Sequence, residues 1–223
     1  MSPYYRILFI LCYLSILIAT ITAITYYKRL NNAFRIIALL LLLTSVSELV
    51  CFIAVCYERY VLRYTIYHFY SIIQAFLITS YFIYAIKPFY NRKLILVSAV
   101  CWVAVGSINI CFFQSLNELN SNMLMVESLV FITISLYFIY ITLKNNMVQH
   151  IFRFPHFWMA VIWLVTWSTS ISFWAFVKII YRGQGDFIKI AITVQAIIEI
   201  LSYLGIAATI YLFNKQMLKN EER

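Results

Sequence analysis

Charged residues, glycine and proline are all scarce in this sequence. Only 11% of its 223 residues are charged, and it contains 4 glycines and 3 prolines. Soluble domains have about 25% charged and roughly 45–50% apolar residues, whereas this chain is 64% hydrophobic. A soluble fold of this composition would have too few polar side chains to cover its surface. The composition therefore excludes an ordinary soluble protein and predicts a chain surrounded by lipid.

Sequence motifs of the common enzyme classes are also missing. The chain has no nucleophile elbow, no phosphate-binding loop and no HExxH motif. The three histidines, His68, His150 and His156, are predicted on both sides of the membrane, so they cannot form a compact metal site. The middle of the last apolar segment carries Glu199 in place of the lysine that would bind retinal. We therefore expect no enzyme, no catalytic residue, no metal site and no cofactor.

Seven apolar segments are long enough to cross a membrane. Each is near or above the roughly 20 residues that span about 30 Å of hydrocarbon. Continuous apolar segments are typical of helices, whereas the strands of a membrane barrel alternate. The first segment exceeds the about 7–15 residues of a signal-peptide core and is expected to be a retained helix. The prediction is an all-α fold, one seven-helix transmembrane domain over residues 1–223, with helices at 7–27, 36–57, 64–86, 94–113, 123–143, 157–180 and 188–213.

The excess of basic residues predicts an orientation. The chain has 17 Lys and Arg against 8 Asp and Glu, and the basic residues cluster at the ends of the apolar segments, where lipid head groups lie. Eleven of the 17 fall on the side of the C-terminus and six on the side of the N-terminus. Because cytoplasmic loops carry more Lys and Arg, the N-terminus is predicted outside and the C-terminus inside. No separate basic module exists, so nucleic-acid binding is not expected.

Polar residues at membrane depth are the candidates for a ligand-binding site. Ionisable side chains there are rare and costly, so each is a functional candidate by default. At a rise of about 1.5 Å per residue, these residues fall into two layers, one near mid-membrane and one nearer the outer face. The mid-membrane layer contains Glu48, Gln74, Ser170 and Glu199, and the outer layer contains His68, Asn109, Glu127 and Trp174.

Helical spacing places these candidates on shared faces. Gln195, Glu199 and Ser202 stand at positions i, i+4 and i+7 and form a polar stripe on the seventh helix. Three other helices carry similar stripes: Tyr67, Ser71 and Gln74 on the third, Ser98, Trp102, Val105 and Asn109 on the fourth, and Trp163, Trp167, Ser170 and Trp174 on the sixth.

Two interpretations of these stripes are open. In the first, they line an aromatic and polar pocket that opens outward. In the second, the carboxyl, amide and hydroxyl groups hydrogen-bond between helices, at about 0.6 kcal/mol each, and the tryptophans fill the bundle core. Glu48 and Glu199 are expected to face the interior in either case, because exposure of a carboxyl group to lipid is costly. For His68, with tyrosines around it, a position at the membrane interface is favoured.

Several segments resemble a family of small, receptor-like seven-helix membrane proteins common in Bacteroidota. The resembling segments are NNAFRIIALLLLLTSVSEL at the second helix, IYHFYSIIQAFLITSYF at the third, MLMVESLVFITISLYFIY at the fifth and FPHFWMAVIWLVTWSTSISF at the sixth. The resemblance implies a protein that acts with separate signalling proteins, and it implies no enzymatic activity. The third helix of the family often carries an acidic residue where this chain has Gln74, so that group is not shared.

The sequence favours a receptor-like or sensory module of the inner (cytoplasmic) membrane. A ligand would enter the outer pocket, the helices would shift, and a cytoplasmic or membrane signalling partner would respond. The alternatives are a small-solute or proton-coupled transporter, in which Glu48 and Glu199 change protonation, and an accessory subunit of a membrane complex. The scarcity of proline and glycine within the helices argues against the broken helices that many carriers use.

Overall fold

Seven long helices make up the protein. The structure, a computed structural model, describes the backbone of residues 3–86, 91–144, 151–182 and 186–221, and the side chains of residues 4, 6–86, 91–144, 151–175 and 189–216. Within these ranges the chain contains no strand, and each long helix is long and apolar enough to cross a membrane. The all-α, seven-helix prediction is therefore confirmed. The helices are α1 (Pro3–Tyr26), α2 (Asn32–Cys56), α3 (Tyr60–Ala85), α4 (Arg92–Ile108), α5 (Ser121–Lys144), α6 (Pro155–Arg182) and α7 (Asp186–Glu221).

Polar capping residues extend the helices beyond the apolar segments. The Asn31 side chain accepts a hydrogen bond from the Phe34 amide at 2.9 Å and so caps the start of α2. Asn91 caps α4 in the same way through the Lys93 amide, also at 2.9 Å. Hydrophobicity alone places the helix starts a few residues late, because it leaves out these polar first turns.

Six helices form a closed ring, and α4 lies outside it. Around the ring, α1 packs against α2, α2 against α3, α3 against α5, α5 against α6, α6 against α7, and α7 against α1. Helix α4 packs against α3, and only Trp102 and Gly106 are buried along its length. The Trp102 indole donates to the Thr79 hydroxyl at 2.9 Å. A Cβ atom at Gly106 would lie 2.3 Å from Ile72 Cδ1, so the absence of a side chain there permits the close approach of the two helices.

The ends of the bundle differ in composition. We call the face where α1 begins the N-terminal face and the opposite one the C-terminal face. Toward the C-terminal face the interior is filled by buried rings that we call the aromatic cluster: Phe34, Tyr81, Phe82, Phe138 and Trp163. Tyr81 and Trp163 meet edge to face with ring centroids 4.9 Å apart. Toward the N-terminal face the interior is instead rich in buried polar groups.

The outward surfaces of the helices are apolar. Leu96, Val100 and Leu201 each expose more than 60% of their surface, and large exposed aliphatic side chains recur on every helix whose side chains are described in full. Such a surface is stable when lipid is the solvent and not when water is. The protein is accordingly a multi-pass membrane protein.

Candidate functional site

A network of buried polar side chains joins α3, the end of α4 and the start of α5 near the N-terminal face. We call it the α3–α5 cluster. Each member is less than 8% exposed, and the Glu127 side chain is fully buried. The members are His68, Ser71, Asn109, Gln114, Asn120, Ser121 and Glu127.

Asn120 connects the helices of this cluster. Its amide nitrogen donates to the Ser71 hydroxyl at 2.7 Å, and its amide oxygen accepts from Asn109 at 3.1 Å. Asn109 begins a π-helical segment, Asn109–Phe113, that continues α4 and ends with a bond from the Gln114 amide to the Asn109 carbonyl at 2.8 Å. Such segments insert an extra residue into a helix and often occur at functional sites.

Two members of the α3–α5 cluster have unsatisfied polar atoms. His68 Nε2 donates to the Glu118 carbonyl at 3.1 Å, whereas Nδ1 has no partner among the described residues. Only 1% of His68 is exposed, so its side chain packs inside the protein and not on an exposed interfacial surface. The α4–α5 connection folds over this histidine and removes it from the surface. Neither carboxyl oxygen of Glu127 has a hydrogen-bond partner in the described part of the chain, although the Ser71 hydroxyl is close enough to interact with it.

Glu48 of α2 is bound by a tyrosine of α3. The Tyr67 hydroxyl donates to both carboxyl oxygens, at 3.0 Å to Oε1 and 3.1 Å to Oε2. The Arg63 guanidinium lies over the Tyr67 ring, 5.5 Å from its centroid, and interacts electrostatically with Glu48. Residues 63 and 67 are one helical turn apart, so α3 presents both to the same carboxyl group.

Gln195 joins α6 to α7 at the second carboxyl group. Its amide nitrogen donates to the Ser170 hydroxyl at 2.9 Å and to Glu199 Oε1 at 3.0 Å. A contact between the Thr166 and Ser202 hydroxyls, at 2.6 Å, connects the same helices nearby. The polar stripe predicted on the seventh helix therefore faces α6.

Tyr70 lies where the three glutamates converge. Its hydroxyl contacts Thr44 Oγ1 at 2.6 Å. Tyr70 interacts electrostatically with Glu48, Glu127 and Glu199, which come from α2, α5 and α7. Glu48 and Glu199 also lie within electrostatic range of each other. Three carboxyl groups from α2, α5 and α7 thus interact electrostatically with a tyrosine of a fourth helix.

Two of the eight predicted site residues lie apart from these groups. Gln74 is half-buried, and no hydrogen bond connects it to a described residue. Trp174 is half-buried and packs edge to face on Phe173, with centroids 5.1 Å apart. Two other tryptophans of its stripe, Trp163 and Trp167, belong to the hydrophobic core, as the core-filling interpretation predicts.

Several residues of the site, among them Gln114, Asn120, Arg63 and Tyr70, are not among the eight predicted ones. Gln114 and Asn120 belong to a polar connection whose composition predicts an exposed loop, yet only 2% and 1% of them are exposed. The sequence places Arg63 at a helix end, where it contributes only to the excess of positive charge. Tyr70 stands three residues after Tyr67, and this helical spacing was the signal that could have identified it.

Two grooves on the protein surface lie away from this interior. One is formed by the end of α2 and the start of α3, and the other lies between α1 and α2 toward the C-terminal face. Neither is lined by any of the eight predicted residues, which sit between packed helices. Among the described side chains, no three His, Cys, Asp or Glu residues are placed to hold a metal ion.

Comparison with known proteins gives no assignment. No protein-family model, no curated protein and no solved structure matches this chain.

Proposed function

We propose that this protein is a receptor-like module of the cytoplasmic membrane. A ligand binds in the polar interior near the N-terminal face, and a separate signalling partner responds at the C-terminal face. The observation that carries the proposal is the convergence of Glu48, Glu127 and Glu199 around Tyr70. These groups come from four helices, so a ligand among them contacts several helices at once.

Contacts on several helices are what a receptor of this kind requires. A ligand shifts a conformational equilibrium only if it binds one arrangement better than the other. The connections between the helices are too short to form a soluble domain that could carry a signal. Output therefore passes through a change in helix packing that a partner detects.

The contrast between the two halves of the bundle favours a receptor over a carrier. The aromatic cluster fills the half toward the C-terminal face, and Tyr81, Phe82 and Phe34 within it are at most 2% exposed. A carrier exposes its site alternately to both sides, commonly through broken helices. Here the π-helical segment at Asn109 is the one interruption within a described membrane helix, and it lies near the N-terminal face.

The orientation completes the proposal. With eleven of the 17 Lys and Arg on the C-terminal side, that face is cytoplasmic and the N-terminal face is external. Lys28, Arg29 and Arg35 are exposed at the C-terminal face and supply positive charge for a partner or for anionic lipid.

A proton-coupled carrier is the second candidate function. The observation that favours it is the proximity of Glu48 and Glu199, since two carboxyl groups that interact across a membrane interior can exchange protons with a solute. The two candidates differ in one measurable property: a carrier moves protons or solute across the bilayer, and a receptor does not.

The test uses the full chain with a fluorescent reporter at the C-terminal face. The three exposed cysteines, Cys56, Cys101 and Cys111, are replaced by serine, and exposed Lys215 is replaced by cysteine and labelled with an environment-sensitive dye. The protein is reconstituted in liposomes that contain a pH-sensitive dye. Small solutes of positive, negative and zero charge are added outside, together with steps of pH.

A receptor gives a saturable change in the Lys215→Cys dye with at least one class of solute and no flux of protons. If protons or solute cross the bilayer and Glu199→Gln abolishes that flux, the protein is a carrier. If no solute and no pH step changes the dye, and no flux is seen, the receptor proposal is wrong. Leu212→Cys, exposed to lipid on the same helix, serves as the matched dye position that should report less change.

A further inference from the structure

Glu127 is the least satisfied polar side chain in the described interior. None of it is exposed, and both of its carboxyl oxygens are without a hydrogen-bond partner among the described residues. Buried polar groups in folded proteins nearly always have a partner. Both other membrane glutamates have one: Tyr67 donates to Glu48, and Gln195 donates to Glu199. Glu127 therefore has acceptor capacity that another molecule can use.

A second unsatisfied atom lies in the same cluster. His68 Nδ1 is buried and has no described partner. Ser71 connects the two residues, because its hydroxyl donates to the His68 carbonyl at 3.0 Å and also lies close to the Glu127 carboxyl group. His68 Nε2 donates to the Glu118 carbonyl, so Nδ1 of a neutral ring is an acceptor. A neutral His68 and an ionised Glu127 together present acceptors, and their complement is a molecule with several hydrogen-bond donors.

A cation is the partner that would allow these carboxyl groups to ionise, because a carboxyl group shielded from water otherwise keeps its proton. Tyr70 interacts electrostatically with three carboxyl groups, and the Arg63 guanidinium interacts with one of them, Glu48. No described cationic side chain forms an ion pair with Glu127 or Glu199. A donor-rich molecule of positive charge supplies both the hydrogen bonds and the opposite charge that an ionised carboxyl group needs in the interior.

The geometry favours an organic cation over a metal ion. Glu48, Glu127 and Glu199 are too far apart to ligate one ion together. An ammonium group needs only one carboxyl group for its N–H donors, and it gains from aromatic faces nearby. The tyrosines that interact electrostatically with these carboxyl groups are Tyr67, Tyr70 and Tyr203.

We propose that the interior binds a small organic ammonium ion whose N–H groups donate to Glu127, beside Tyr70 and His68. This ligand class rests on the proposed function, of which it specifies the ligand. Entry is controlled by the α4–α5 connection, since the Glu118 carbonyl accepts from His68 and Asn120 donates to Ser71. That connection must open for the ammonium ion to reach Glu127, because none of the Glu127 side chain is exposed.

Binding can be measured with probe cations on the full chain in lipid nanodiscs. The probes are methylammonium and propylammonium, with tetramethylammonium, which has no N–H group, and Na⁺ and K⁺ as comparisons at equal ionic strength. The readouts are the fluorescence of the 5 tryptophans and the temperature of unfolding. We expect saturable responses to the primary ammonium ions and at least about tenfold weaker binding of tetramethylammonium, which cannot donate a charge-assisted hydrogen bond.

Matched variants locate the site. Glu127→Gln keeps the shape of the side chain and removes its charge, and we expect it to weaken propylammonium binding by about tenfold or more. Glu58→Gln makes the same change on an exposed side chain near the same face and should leave binding unchanged. If Glu127→Gln does not fold, the comparison of primary ammonium ions with tetramethylammonium on the unaltered chain still tests whether binding needs N–H donors.

Three outcomes would overturn the ligand class: no saturable response to any primary ammonium ion, equal binding by Glu127→Gln, or equal responses to Na⁺ or K⁺. The outcome for the receptor proposal is separate. If ammonium ions bind without a change in the Lys215→Cys dye, the ligand class stands and the receptor proposal is wrong. If the dye responds only to other solutes, the receptor proposal stands and the ligand class is wrong.

Discussion

Tyr67 donates its hydroxyl hydrogen to both carboxyl oxygens of Glu48, at 3.0 and 3.1 Å, and so connects α3 to α2 inside the membrane. A contact of 2.6 Å between the Tyr70 and Thr44 hydroxyls joins the same two helices one turn away. The polar groups that gather around Tyr70 therefore also hold helices together. Their substitution should affect stability and ligand response to different degrees, and this difference can be measured.

We expect Tyr67→Phe to destabilise the protein by about 1 kcal/mol. Hydrogen bonds between membrane helices average about 0.6 kcal/mol, and bonds to a charged group are stronger. The measurement is thermal or denaturant unfolding in nanodiscs. Tyr60→Phe, an exposed tyrosine on the same helix, is the control and should have no effect. In a Glu48→Gln background, Tyr67→Phe should cause a smaller loss of stability. An unchanged loss of stability there would show that Tyr67 acts through packing and not through Glu48.

We expect the Gln195 amide to contribute more to stability at the α6–α7 contact than Ser170 does alone. Gln195→Ala removes bonds to both Ser170 and Glu199, and we expect a loss of about 1–2 kcal/mol. Ser170→Ala removes one bond and should cost about half as much. Unfolding of the single and double variants checks this. Additive losses would contradict a shared bond between residues 170 and 195.

We expect alanine at Gly106 to cause a larger loss of stability than alanine at Gly205. A Cβ atom there would lie 2.3 Å from Ile72 Cδ1, whereas a Cβ atom at Gly205 would lie 3.0 Å from Ile162 Cδ1. Gly106→Ala should therefore destabilise the α3–α4 contact by about 1 kcal/mol, near the lower end of the overpacking range, and Gly205→Ala should cost less. Ile72→Ala in the Gly106→Ala background should recover part of the loss. Failure to recover it would mean that backbone, and not Ile72, resists the methyl group.

Helix number and type could be predicted from the sequence because lipid imposes one strong rule. A chain in hydrocarbon must satisfy its backbone internally, so long apolar segments become helices. Helix ends are less predictable, since polar caps such as Asn31 and Asn91 are indistinguishable from loop residues by hydrophobicity. The position of α4 outside the ring also has no clear signal in the sequence. Its apolar residues face lipid, and a residue that faces lipid is as apolar as one that faces the core of the ring.

The candidate site could be predicted in part. Single glutamates in apolar segments are conspicuous, and Glu48, Glu127 and Glu199 converge. The residues that contact these glutamates are harder to identify, because the chain has 18 tyrosines and hydrophobicity does not show which of them lie beside a carboxyl group. The burial of His68 depends on the α4–α5 connection, a tertiary contact between residues 50 positions apart that no local pattern contains.

The proposed orientation can be checked with reporter fusions. Because the C-terminal side holds eleven of the 17 Lys and Arg, a reporter fused after Phe113 should be external and one fused after Phe213 cytoplasmic. An alkaline phosphatase reporter is active outside and a green fluorescent reporter inside. If both positions report the same side, the chain crosses the membrane an even number of times between them, and the proposed crossing by α5, α6 and α7 is wrong.

The last expectation concerns the response to an external ligand. Glu199→Gln retains an acceptor for Gln195 but removes a charge near Tyr70, so the fold should persist while the response weakens about tenfold. Trp174→Ala, toward the N-terminal face, should also weaken the response. Trp158→Ala is the matched control, because this tryptophan is half-buried like Trp174 but lies at the opposite face, where it donates to the Phe152 carbonyl at 2.8 Å.

Membrane insertion and unfolding temperature separate a lost site from a lost fold. If Trp158→Ala weakens the Lys215→Cys dye response as much as Trp174→Ala, the tryptophans act through general packing, and no binding region near the N-terminal face is needed. If only Glu199→Gln and Trp174→Ala weaken it, the ligand contacts α6 and α7 together. A contact with two helices is the condition under which binding energy can favour one helix arrangement over another, and it links the carboxyl groups near the N-terminal face to a signal at the C-terminal face.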